Sequence, residues 1–161
     1  LTTKQRAAFS NLKPNGSVDK LGNKILLTDS FYKERINFSF RYISLDKTKY
    51  CFNNKKAKTS DYTDLFKGLQ QISGKNYKEI DQGRNTWRFH PIDIDKPGLN
   101  FPKEKLLKIL KKQALGEIRI PTMFQFSVGG GKRVVGFIGD KGIFYFVFFD
   151  FEHNIYSNKK F

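Results

Sequence analysis

Apolar and polar positions alternate over residues 36–44, INFSFRYIS: Ile36, Phe38, Phe40 and Tyr42 fall on one side, Asn37, Ser39 and Arg41 on the other. A period of two predicts a strand with one buried face. The period changes near Ser60. Tyr62, Leu65, Phe66, Leu69 and Ile72 recur at helical spacing up to Gly74, which predicts a helix over 60–73 capped by Ser60 or Asp61. A short helix around 76–82 follows, then a strand over TWRFH, residues 86–90, ended by Pro91. Pro102 opens a second long helix, closed by Gly116. Leu106, Leu107, Leu110 and Ala114 form its apolar side, and Lys105, Lys108 and Lys112 its basic side.

The last third reads as a meander. Residues 118–128 give a strand bent near Pro121, Gly129–Gly131 turn the chain, 133–138 return, and Gly139–Gly142 turn it again. Ile143–Phe149 is apolar on both faces, so a central strand covered from both sides is expected. The sum is a single α+β domain over 1–161. Its antiparallel sheet carries a C-terminal three-strand meander, with two main helices packed on one side. Residues 1–24, with Pro14, Gly16 and Gly22, read as an irregular arm, and Ile25–Thr28 as a short strand.

Composition adds to this picture. Hydrophobic residues make up 39% of 161, including 17 Phe and 7 Tyr, which argues for a packed core rather than disorder. The longest apolar run, 143–149, is well short of the roughly 18–20 residues of a membrane span. No membrane association is expected, and LTTKQRAAFSNLKP shows no signal-type apolar segment, so a cytoplasmic location is the natural expectation. The single Cys51 has no disulfide partner within the sequence.

Charge changes the picture more. Thirty Lys and Arg against 15 Asp and Glu leave a net charge of +15, a field that draws polyanions: RNA or DNA, or an acidic protein. Lys105, Lys108, Lys112, Lys132 and Arg88 are the expected phosphate contacts. GGGKR, residues 129–133, lacks the Ser or Thr that follows lysine in a phosphate loop and leads into a strand, so it reads as a hairpin turn. FHPIDID and DFEHNIY place His90 and His153 among acids. Neither shows the helical histidine pairing or cysteine cluster of a zinc site, so no metal or cofactor is expected.

The C-terminal pieces resemble the RelE/ParE superfamily of small bacterial toxins. The matching parts are Phe124–Val128, then Gly131-Lys132-Arg133-Val134-Val135, Gly139-Asp140-Lys141, Ile143–Phe149, and Ile155-Tyr156, with the helix at 102–114 leading in. Residues 1–60 have no counterpart. Where RNA-cutting members carry a basic cluster before the final tyrosine, this chain has Asp150, Phe151 and Glu152, with His153 next. The resemblance implies a metal-independent endoribonuclease of a toxin–antitoxin or defence system, acting on messenger RNA, typically on the ribosome, and wrapped by a small acidic antitoxin. It implies catalytic roles for Arg133, His153 and Tyr156, with His90 a second candidate acid or base. A non-catalytic basic nucleic-acid-binding module, or an interaction or immunity module that binds an acidic protein, are the alternatives from other classes.

Overall fold

The computed structural model describes residues 33–47, 49–112, 118–139 and 142–156. The expected arm at 1–24, the strand at 25–28, Ala114–Gly116, Asp140–Lys141, and Lys159 and Lys160 lie outside them. In chain order the elements are β1 (Asn37–Ser39), α1 (Thr59–Ser73), α2 (Tyr77–Gln82), α3 (Arg84–Trp87), β2 (His90–Ile92), α4 (Lys103–Lys111), β3 (Met123–Gly129), β4 (Lys132–Ile138) and β5 (Ile143–Asp150).

The five strands form one sheet in the order β1-β5-β4-β3-β2. The meander β3-β4-β5 is antiparallel as expected, and β2 joins β3 antiparallel. The sheet as a whole is mixed, because β1 runs parallel to β5 through Asn37–Ile143, Phe38–Phe144 and Ser39–Tyr145. The helices are not on one side. Leu65, Leu69 and Ile72 of α1, with Tyr77 and Ile80 of α2, pack on Phe124, Phe126, Phe144, Phe146 and Phe149. Leu106 and Leu110 of α4 pack with Met123, Val135, Phe137, Val147 and Phe148 in a separate cluster. A strand that is apolar on both faces needs cover on both, and helices on opposite faces supply it.

A bulge in β5 sets which side chain joins which layer. Val135 pairs with Phe148 and Gly136 with Phe146, so Val147 is the extra residue. Phe144, Phe146 and Phe149 face α1, whereas Val147 and Phe148 face α4. The backbones come so close here that a Cβ on Gly136 would lie 2.1 Å from the Tyr145 carbonyl oxygen. Only glycine fits.

Three local expectations are corrected. The alternating stretch 36–44 is a strand only at 37–39. A turn closed by the Ile43 amide on the Phe40 carbonyl (3.1 Å) then carries Tyr42 to the α4 layer, while Phe40 is left half exposed. The chain continues along the edge of β5 instead, with Ser44 N–H donating to Val147 O and Phe149 N–H to Tyr50 O, both at 2.9 Å. TWRFH is not a strand: α3 occupies 84–87, its Thr86 and Trp87 amides donating to Gly83 O, and pairing begins only at His90. Pro91 lies inside β2 rather than ending it, which an edge strand tolerates because no neighbour needs the missing N–H. Finally, the N-cap of α1 falls two to three residues earlier than expected, at Lys58, with Asp61 accepting the Lys58 amide at 2.7 Å.

Candidate functional site

The polar residues of the sheet gather at one end of its α4-facing side. Register puts Ser127, Arg133 and Asp150 side by side across β3, β4 and β5, with His90 and Gln125 paired across β2 and β3 in the next row. Gln125 is thus the diagonal neighbour of Arg133, a separation of about 7–8 Å that long side chains span.

Arg133 is half buried. Its Nη1 donates to Ser127 Oγ at 3.0 Å and to the Lys132 carbonyl at 2.9 Å, while its buried Nε has no partner among the described residues. Burial pushes the guanidinium pKa down, the positive charge of Arg88 adds to this, and Asp150 opposes it. A cation held dry with a free donor favours an anionic visitor.

Asp150 is 2% exposed and organises the segment after β5. Its Oδ1 accepts from Asn154 N–H at 2.7 Å and its Oδ2 from Ile155 N–H at 2.9 Å. Burial raises its pKa. The two amides, then the charges of His153 and Lys49, pull the other way. The turn so formed holds His153 at φ 54°, a left-handed conformation unusual for a non-glycine residue. Arg88, just before β2, has φ 50°. Strained residues of this kind, each costing on the order of 1–3 kcal/mol, cluster at working sites.

Tyr156 lies between the two histidines, its ring centroid 6.0 Å from that of His90 and 6.2 Å from that of His153. Burial, and next the charge of Asp93, push its phenol pKa up to about 12, so it stays protonated at neutral pH. His90 Nδ1 lies 2.9 Å from the Pro91 carbonyl and His90 Nε2 2.8 Å from Gln125 Nε2. A neutral imidazole protonated on Nδ1 satisfies both contacts. It leaves Gln125 Oε1 buried without a partner among the described residues.

His90, Tyr156 and His153 therefore stand together, and the register places Arg133 at the same end of the sheet, although the four come from three separate stretches of sequence. Arg88 stands exposed beside them. The remaining expected phosphate contacts do not join. Lys132 points to the opposite face, where Asp64 (2.8 Å) and Asp61 (3.4 Å) neutralise it. Lys105 is not part of a solvated stripe: it bonds Asp46 at 2.8 Å and lies over the Phe148 ring. Lys108 and Lys112 are exposed on and just after α4, and among the described residues no hydrogen bond or ion pair ties them to this corner. Gln125 and Ser127 are absent from the expected set, although the sequence carries their signal. Both fall at the parity of Met123 in MFQFSV, polar residues at inward positions of an apolar strand. Among the described residues no group of three or more His, Cys, Asp or Glu is placed to hold a metal ion.

Fold and site together define an α+β protein with one mixed sheet between helical layers and a half-buried Arg–His–Tyr corner at the sheet's end. The chain belongs to the family described as uncharacterised protein UU032, whose model matches residues 35–161. No curated protein and no solved structure matches it. Among the described residues, no helix is long and apolar enough to cross a membrane.

Proposed function

We propose that this domain binds RNA and cleaves its phosphodiester backbone without a metal, in the manner of the RelE/ParE toxins that its C-terminal meander resembles. The carrying observation is Arg133, a half-buried guanidinium whose Nε–H has no partner among the described residues, at the same end of the sheet as Tyr156 and two histidines. The net charge of +15 supports the choice of a polyanion.

In this reading the ribose 2′-oxygen attacks the adjacent phosphorus and the bond to the 5′-oxygen breaks, leaving a 2′,3′-cyclic phosphate. His153 accepts the 2′-hydroxyl proton. Tyr156, protonated at neutral pH, donates toward the departing 5′-oxygen, and Arg133 stabilises the charge that builds on the phosphoryl oxygens. His90, held by Gln125 and Pro91, packs against Tyr156 and orients it. A cytoplasmic setting and a small acidic antitoxin that covers the basic surface belong to the same proposal.

Incubating the protein with RNA in EDTA tests it. Arg133→Ala, His153→Ala and Tyr156→Phe should each slow cleavage by about 100- to 10,000-fold while preserving the fold. Binding without cleavage by the wild type would leave the non-catalytic nucleic-acid module as the reading; neither binding nor cleavage would sink both.

A further inference from the structure

The charge of this chain is not spread evenly over its described surface. Lys103 pairs with Asp95, Lys105 with Asp46, and Lys132 with Asp61 and Asp64. By contrast Lys47, Lys55 and Lys56 make no side-chain ion pair among the described residues. These three, with Lys49 and Asn54, line one wall of a groove of about 670 Å³, and Glu152 and Asn154 line the other. Four ammonium groups thus face one carboxylate.

The groove is built, not incidental. Its lysine-bearing wall is pinned to the edge of β5 by the Ser44–Val147 and Tyr50–Phe149 backbone bonds and closed on itself by the Phe52–Ser44 bond, each 2.9 Å. Buried Cys51 and Phe52 anchor it from beneath. Asn54 then shapes the next turn, its Oδ1 accepting the Lys56 amide at 2.8 Å and its carbonyl the Ala57 amide at 3.1 Å, which presents Lys55 and Lys56 together. The facing wall is the 152–154 turn that Asp150 holds. That turn also carries His153, so groove and Arg–His–Tyr corner share one wall.

We infer that this groove is a second anion site, one that binds the sugar–phosphate backbone of single-stranded RNA. Successive phosphates fit four lysines lining one groove better than a single small anion does, and lysine contacts of this kind add affinity without base preference. Its role as the path by which the same strand reaches His153 rests on the function proposed above; its capacity to bind does not.

The experiment is a fluorescence-anisotropy titration of a labelled 12-nucleotide single-stranded RNA against salt. The proteins are the wild type, the fourfold variant K47Q/K49Q/K55Q/K56Q, and a control K78Q/K96Q/K111Q at exposed lysines outside the groove. The fourfold variant should bind at least about tenfold more weakly at moderate salt. Its slope of log affinity against log salt should shrink by about 0.7 for each phosphate that the lysines no longer neutralise. The control should bind like wild type. An unchanged slope in the fourfold variant, or an equal weakening in the control, overturns the groove assignment, as does retained binding of poly-glutamate with none of RNA. Photocrosslinking of 4-thiouridine RNA to wild-type protein gives a second readout should the fourfold variant fold poorly: adducts in 47–56 support the site, adducts confined elsewhere refute it. Absence of cleavage in every protein, with the weaker binding of the fourfold variant intact, leaves the groove standing and removes only the catalytic reading.

Discussion

Oδ2 of Asp150 accepts the Ile155 amide proton at 2.9 Å, and this one bond, with its 2.7 Å companion from Asn154, fixes where His153 and Tyr156 stand. Asp150→Ala leaves two amides without their acceptor, a loss of about 1–3 kcal/mol for each buried group that water does not reach. His153 would leave its left-handed conformation, so activity should fall further than stability. Retention of both would show that the turn is held instead by the Asn100 bonds to the Ile155 and Asn154 carbonyls (3.0 and 3.2 Å) and by packing of Ile155.

The same carboxyl sets a pH dependence. Burial raises its folded-state pKa above the unfolded value of about 3.9, so the folded protein binds the proton more tightly than the unfolded chain. Its contribution to stability is therefore greatest below that value. It declines as pH rises toward the raised folded value and is flat beyond it. Urea midpoints across the acid range should show this decline in the wild type and lack it in Asp150→Ala; identical profiles would refute it.

Arg133→Met should separate stability from function. The guanidinium carries a buried Nε with no partner among the described residues and is repelled by Arg88, whereas methionine keeps the aliphatic stem and removes both costs. The melting temperature should stay at or above that of the wild type, while RNA cleavage is lost. A stability loss beyond about 1.5 kcal/mol, the range for tolerated core exchanges, would make Arg133 a structural residue instead.

Tyr156→Phe bears on the alkaline limb. Because burial and Asp93 raise the phenol pKa to about 12, stability linked to Tyr156 declines as pH climbs from about 10 through 12, and the phenylalanine variant should lack that component. Ultraviolet titration of tyrosinate follows it directly. A phenol that ionises near 10 would contradict the buried placement.

Gly136→Ala should be among the most damaging single changes, since its Cβ would meet the Tyr145 carbonyl at 2.1 Å beside the β5 bulge. A loss of about 3 kcal/mol or more is expected, similar to Phe146→Ala or Phe148→Ala, whose rings are fully buried in opposite layers. Normal melting of Gly136→Ala would show that the strands can slide, and with them the Arg133–Asp150 register.

Local sequence determined the pieces whose physics is local. The helical spacing of Leu65, Leu69 and Ile72 made α1, Asn76 and Glu79 capped α2, and the glycines at 129–131 turned the hairpin. The meander was legible because it follows from turns between adjacent strands, and with it the pairing of Arg133 with Asp150 at the end of β5, shortly before His153 and Tyr156. Tertiary structure decided the rest, through contacts between residues far apart in the chain. Phe38 packs on Phe126 and Phe146, and this pairing of β1 with β5 made the sheet mixed. Leu106 and Leu110 found the face that Phe148 offered, which put α4 opposite α1. Val147, indistinguishable in the sequence from its apolar neighbours, became the bulge. That one extra residue reversed the alternation, turned Phe148 and Asp150 to the α4 side, and so placed the carboxylate beside Arg133 rather than against α1. Alternation can be read from a sequence, but the residue at which it slips is chosen by packing on both faces of the sheet.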